Sequence, residues 1–269
     1  MRKLVVGIAG IVALAMAAPA SASVIFAATG NSSTSGTAGN TRTFTAGSGS
    51  SAVTLKASAW GLKTTGSCAV TATTANTANC ISKSYLGAYG QGLGVTSAGD
   101  SGTNLHTTDN LGDYQDFIIL QFDKKVRLIG AQFTPFAIGT GGTLDTDATV
   151  GVGANNAPAN QTIALTTRNS LNALFPTRYA SSSTATTANT RALDPTNILS
   201  RIWFIAAAME TTAQQQQHDG AAKNDAFKLG KIEVTTTVPE PATWLTMIAG
   251  FGFIGGAIRR RRAGNAAAA

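Results

Sequence analysis

Asp109, Asn110, Asp113 and Asp116 fall within eight residues, and Asp145 and Asp147 form a second acidic pair. Carboxylate and amide oxygens at this density are the hard donors that calcium takes. The spacing is not that of an EF-hand loop, and acidic residues flanking strands also serve as caps and turn formers. Two readings therefore stand: a calcium site drawn from Asp109, Asp113, Asp116, Asp145 and Asp147, or turn chemistry alone. Cys68 and Cys80 are the only cysteines. In an oxidising compartment they are expected to close a local disulfide, which the chain-entropy model values on the order of 3 kcal/mol. A catalytic cysteine would need a basic partner, and the spacing ties neither His106 nor His218 to one. A glycosidase would need two carboxylates facing across a cleft, and no pair stands out. A Gly-x-Ser-x-Gly elbow, an HExxH helix, a Walker loop and a GxGxxG turn after a strand are all missing from the sequence, so no enzymatic activity is expected.

The elements that would carry these residues read as strands. Val53, Leu55 and Ala57 alternate with Thr54, Lys56 and Ser58, the period of a half-buried strand, which ends near Trp60. Val24 to Ala28 gives a first strand, followed by a Gly/Ser/Thr-rich stretch from Thr29 to Thr41 read as a mobile loop. Period two returns from Ile81 to Tyr89. Four glycines then fall between Gly87 and Gly94, as bends or close backbone approaches require. Phe117 to Phe122 is apolar at both parities, as a central strand must be, and Val126 to Phe136 follows Asp123-Lys124-Lys125. That pattern predicts a β-hairpin. Further strands are expected at Ala148 to Val152, Thr162 to Thr167, Ile202 to Ala208 and Phe227 to Val234, the last with a bulge at Gly230 or Lys231 where the apolar parity changes. Asn169 to Phe175 invites a short helical turn. Gln214 to Gln217 reads as loop, and Ser181 to Thr190 as an exposed low-complexity segment open to glycosylation. The number and order of strands predict one all-β sandwich over residues 23–238.

Charge separates the ends from the middle. The formal net charge is +7, yet residues 23–238 hold 14 basic and 12 acidic groups, so the excess sits at the two ends. Without a concentrated basic face, nucleic acid is not an expected partner. Arg2-Lys3, the apolar run from Leu4 to Ala18 and the small residues Ala20-Ser21-Ala22 form the pattern of a cleavable signal peptide over residues 1–22, so the chain is expected to be exported. At the other end, Val238-Pro239-Glu240-Pro241 should be extended, because proline fixes its own φ and drives the preceding residue out of the α region. The uncharged run from Ala242 to Ile258 spans roughly 26 Å as a helix, enough for one short membrane crossing. Arg259, Arg260, Arg261 and Arg262 then favour the cytoplasmic side and leave the upstream chain outside. Residues 263–269 read as a disordered tail.

This C-terminal pattern resembles the PEP-CTERM sorting signal, in its PEPxxW form, over residues 239–262. The resemblance rests on Pro239, Glu240, Pro241, Trp244, Met247, Gly250-Phe251-Gly252, Gly255 and the four arginines. Leu245 and Thr246 depart from the alanine usual after the tryptophan. The resemblance implies recognition by exosortase, a multi-pass inner-membrane transpeptidase that cuts near Pro-Glu-Pro, and hence a temporary transmembrane helix. Gly252 and Gly256, four apart, would let that helix approach another closely.

Residues 90–153 also resemble the ectodomain of many PEP-CTERM proteins, through Gly92-Leu93-Gly94-Val95, Asp109-Asn110, Asp116 to Asp123, Val126 and Asp145-Thr146-Asp147. This implies a jelly-roll-like sandwich and names no ligand. The expected function is that of an exported surface or extracellular-matrix protein, associated with exopolysaccharide or biofilm. A carbohydrate-binding or adhesive module is the alternative, with calcium as its one candidate cofactor and Trp60 and the tyrosines as sugar platforms; Trp203 is a further candidate platform, but its place between Ile202 and Phe204 favours core packing. A secreted hydrolase is the weaker third.

Overall fold

A computed structural model describes residues 21–100, 106–138, 144–154, 161–193, 197–209, 225–237, 247–256 and 259. Residues 1–20 of the expected signal peptide, the glutamine run with His218, and Pro239, Glu240, Pro241 and Trp244 lie outside them, while the signal peptide's last two residues, Ser21 and Ala22, begin the first strand. The chain divides into a compact unit from Ala22 to Thr236 and a second unit formed by its two ends.

The first unit is mostly β-sheet, as the alternating pattern predicts. Its strands are β1 (Ser21–Ala27), β2 (Thr41–Ala46), β3 (Val53–Lys63), β4 (Ile81–Lys83), β5 (Tyr85–Tyr89), β6 (Gly92–Thr96), β7 (Thr108–Asp109), β8 (Tyr114–Pro135), β9 (Ala148–Val152), β10 (Thr177–Ser181), β11 (Asn189–Ala192), β12 (Ser200–Ala207) and β13 (Ala226–Thr237). They form one open sheet whose main path runs β10-β9-β12-β8-β13-β6-β5. The short helix α1 (Arg168–Leu174) falls where a helical turn is expected. Thr167 caps it, its hydroxyl accepting from the Ser170 amide at 3.1 Å while Ser170 Oγ accepts from the Thr167 amide, the reciprocal bonding of a capping box.

The expected hairpin at Asp123-Lys124-Lys125 is not there: β8 is one continuous strand of 22 residues. Its first half pairs with β3, from Tyr114↔Lys63 to Phe122↔Leu55, and with β12. Its second half pairs with β13, from Arg127↔Thr235 to Pro135↔Phe227, and with β11. The polar triplet is thus the point where the strand leaves one set of partners for another, and only there does its backbone stand clear of the core. A local polar run looks alike in a turn and in such a crossover. The distant pairings decide between them.

Apolar residues at both parities of Phe117 to Phe122 serve two cores. Ile118, Leu120 and Phe122 join Leu55, Ala57, Phe26, Leu93, Phe133, Phe227 and Leu229 in a cluster drawn from both halves of the sheet. Phe117 and Ile119 join Trp60, Leu62, Ile202, Phe204 and Phe175 in a second cluster, which Leu171 of α1, Ile163 and Leu165 cover. Phe204 sits at its centre, edge-on to Phe117 at 5.9 Å and to Phe175 at 4.9 Å. Burying each such ring contributes roughly 1.5–3 kcal/mol.

Thr162 to Thr167 is not a strand. Ile163 and Leu165 alternate inward as its pattern predicts, but the main chain forms no ladder: the Thr166 carbonyl accepts from both Cys80 and Ile81, and the Gln161 carbonyl from a side chain. The stretch expected as a mobile loop is bound along β5. Gly30 and Ser32 donate to Tyr89 and Ala88 carbonyls, and the Tyr85 and Tyr89 hydroxyls both donate to Ser33 O. Two glycines in the rich run answer to close approach. Gly92 has φ +132°, and a Cβ on Gly94 would stand 2.1 Å from the His106 carbonyl oxygen. In β13 the register shifts between Leu229 and Ile232, the expected bulge. Strands β2, β6, β7, β10 and β11 were not anticipated; β2 and β11 alternate only between partial and full exposure and β10 is partly exposed along most of its length, which offers little hydrophobic contrast, while β6 is glycine-rich and β7 only two residues long.

In the second unit, residues 247–256 are helical. Among the described residues no helix is long and apolar enough to cross a membrane.

Candidate functional site

The acidic residues separate into three places. Asp145 and Asp147 precede β9 and, two apart in an extended segment, turn the same way; Asp225 precedes β13. Backbone bonds bring them together: Ala226 N donates to Asp145 O at 3.0 Å and Ala208 N to Asp147 O at 3.1 Å. The three carboxylates offer oxygens within 4.8 Å of one another, and all three residues are buried. Asn110, next to β7, locks Asp225 in place. Its amide nitrogen donates to Asp225 Oδ2 at 2.7 Å, and Asp225 N donates to its Oδ1 at 2.9 Å. Asp147 Oδ1 accepts from Ser183 N at 2.8 Å.

Arg191 of β11 supplies a neighbouring positive charge. Its guanidinium lies 3.9 Å above the Phe133 ring and donates to the carbonyls of Thr146 at 2.7 Å and Ser181 at 3.0 Å. Burial lowers its pKa to about 10, against the attraction of Asp147, Asp145 and Asp225. Burial first, then Asp145 and Asp147, pushes Asp225 up to about 8, so without a cation it holds a proton at neutral pH. Three buried carboxylates with neither imidazole nor thiolate among them form the hard-oxygen set that suits calcium rather than zinc. A bound divalent ion would take the place of that proton.

Asp109 and Asp116 do not reach this triad. Asp116 accepts from the Ser97 hydroxyl, and Asp109 Oδ2 accepts from Thr107 Oγ1 at 2.9 Å. Burial pushes Asp109 up to about 7, and burial together with Asp109 holds Asp116 well above the usual carboxylate range. Asp113 is exposed in the turn after Gly112, where its carbonyl accepts from Thr64 N at 2.8 Å. The five aspartates proposed as one calcium set therefore do not converge: two join the triad, two pair elsewhere and one faces solvent. Asp225 was missed because it stands alone, 78 residues beyond Asp147. Only the docking of β13 beside β9's approach brings it in.

Cys68 and Cys80 are bonded in the structure, and both pack in the second core beside Trp60 and Ile81. The sugar-platform reading of the tryptophans does not hold. Trp203 is fully buried, and Trp60, 3% exposed, stacks on Phe117.

The helix at 247–256 presents Met247, Ile248, Phe251, Phe253 and Ile254, all exposed. A Cβ on Gly250 or Gly252 would meet nothing within 4 Å. Arg259 is helical and exposed, and Arg260, Arg261 and Arg262 lie outside the described residues. Residues 237–262 match the family described as the PEP-CTERM protein-sorting motif. No curated protein and no solved structure matches the chain. The motif follows directly on β13, the last strand of the sheet, so the chain is a sheet-built protein carrying a PEP-CTERM sorting motif, which implies export and sorting to the cell surface through exosortase.

Proposed function

We propose that this chain is a non-enzymatic extracellular-matrix protein, associated with exopolysaccharide or biofilm after exosortase has removed its C-terminal segment. The observation that carries the reading is the order of parts: one β-rich unit, then the sorting motif at residues 237–262. Residues 1–22 act as the signal peptide, the apolar run of the motif as a temporary transmembrane helix, and the two halves of the sheet over their shared core as a jelly-roll-like sandwich. Digesting the exopolysaccharide of the native host tests the reading: the processed protein should pass from the matrix to the medium. Retention on digested cells would argue for a membrane-anchored role instead.

The second reading is a calcium-dependent adhesive or carbohydrate-binding module, favoured by the triad. Asp145, Asp147 and Asp225 would hold the ion and tie β9, β12 and β13 together at one end of the sheet. Calcium would then set the shape of the surface rather than take part in any reaction.

A further inference from the structure

On the face of the sheet that carries the second core, apolar residues give way to polar ones along both central strands. On β3 the inward sequence Leu62, Trp60 continues as Ser58 and Lys56; on β8, Phe117 and Ile119 continue as Gln121. Lys56 and Gln121 are directly paired across the strands. The end of the core thus opens into a cleft of about 110 Å³, closed on its far side by residues 161–163 and bordered by Lys83 of β4.

Three features define what this cleft takes. No carboxylate stands among its described lining residues, while two lysines do. Neither ammonium has a hydrogen-bond or ion-pair partner among the described residues, and Lys83 Nζ is held 6.0 Å from the Trp60 ring centre. Beneath them, Gln121 Nε2 is committed to the Gln161 carbonyl at 2.7 Å, and Gln161 Oε1 is buried with no hydrogen-bond partner among the described residues. That oxygen needs a donor. A ligand bearing both a negative charge for the lysines and a hydroxyl for Gln161 meets all three demands. The volume is well under the roughly 300 Å³ at which pockets enclose a whole small molecule, so the cleft suits a small group such as one unit of a longer polymer presents. Stacking on an exposed tryptophan is not available, because Trp60 is 3% exposed. Charge and hydroxyls must carry the recognition.

The geometry points to this cleft as a subsite for one acidic sugar unit of an anionic polysaccharide, its carboxylate or sulfate between Lys56 and Lys83 and a ring hydroxyl at Gln161. This rests on the exopolysaccharide reading above and specifies its ligand class. The test uses mature protein recovered from the host, titrated in calcium-free buffer with polygalacturonate, dextran sulfate and uncharged dextran. Binding to one or both charged polymers is expected, distinguishing carboxylate from sulfate, with uncharged dextran at least tenfold weaker. K56Q/K83Q should weaken the charged polymer at least tenfold with an unchanged melting curve. K231Q, an exposed lysine on β13 remote in sequence from the cleft, should leave it within twofold. Equal loss in K231Q, or undiminished binding in K56Q/K83Q, would overturn the cleft. Binding of uncharged dextran as tight as that of the charged polymers would overturn the cleft and keep the polysaccharide reading; binding to none of the three would count against both.

Discussion

Asp225 is the residue on which the acidic site turns. Its pKa of about 8 is set by burial and by two neighbouring carboxylates, so at neutral pH it carries a proton unless a bound cation takes that proton's place. Calcium at a hundredfold excess over its Kd should stabilise the protein by about 2.7 kcal/mol, a rise of roughly 5–10 °C in melting temperature for a domain of this size. D225N keeps an acceptor for Asn110 but removes the third charge, and its melting temperature should no longer respond to calcium. A thermal shift of equal size in wild type and D225N, or none in wild type, would remove the triad as the calcium site. Sequence reasoning found Asp145, Asp147 and Asn110 because they cluster near strands. It grouped them with Asp109, Asp113 and Asp116 because proximity along the chain was the only distance available. The fold separates these neighbours, since β7 carries Asp109 to Thr107 and β8 carries Asp116 to Ser97, while the approaches to β9 and β13 assemble the triad.

Strand β8 organises the sheet, and its two parities feed two cores. Phe204, paired through β12 to Ile119 of β8, fills the second of these against Phe117 and Phe175. F204A should therefore destabilise by roughly 3–5 kcal/mol and lower the melting temperature by roughly 6–20 °C. I25A, on the outward parity of β1 where the side chain is 56% exposed, should change stability by less than about 0.5 kcal/mol. Chemical denaturation of both variants measures the contrast, and comparable losses would mean that the second core is not tightly packed. At this scale much was legible in the sequence. The alternation in β3, the two-sided run of Phe117 to Phe122, the short helix at α1 and the bulge in β13 are all written in local periodicity. The crossover at Asp123-Lys124-Lys125 was not, because turn and crossover share a polar composition and differ only in which distant strands lie alongside. Edge strands β2, β10 and β11 escaped for the same reason: their neighbours, not their hydrophobicity, make them strands.

For the whole molecule, buried carboxylates set the response to pH. Asp225 and Asp109 keep their protons to about pH 8 and about pH 7 when folded, and Asp116 holds its proton well above the ordinary carboxylate value of 3.8 that these groups have when unfolded. A group whose folded pKa is raised binds more protons folded than unfolded between those two values. Its stabilising effect is complete below about pH 4 and is lost as pH rises through the folded value. Burial lowers the pKa of His106, which acts in the opposite direction only below its ordinary value of 6.5. Calcium-free protein should therefore melt at progressively lower temperature from pH 6.5 to pH 8.5, and calcium should flatten the part of that slope due to Asp225. A melting temperature rising across this interval would contradict the protonated-carboxylate account. The central claim, however, concerns the chain's ends and not its sheet. The measurement that reaches it most directly is the intact mass of the protein recovered from its native host, with and without exosortase. A product beginning near Ser23 and ending near Pro239-Glu240-Pro241, found outside the cell only when exosortase is present, is the predicted result. A chain still carrying Arg262 in the inner membrane of cells that have exosortase would contradict it.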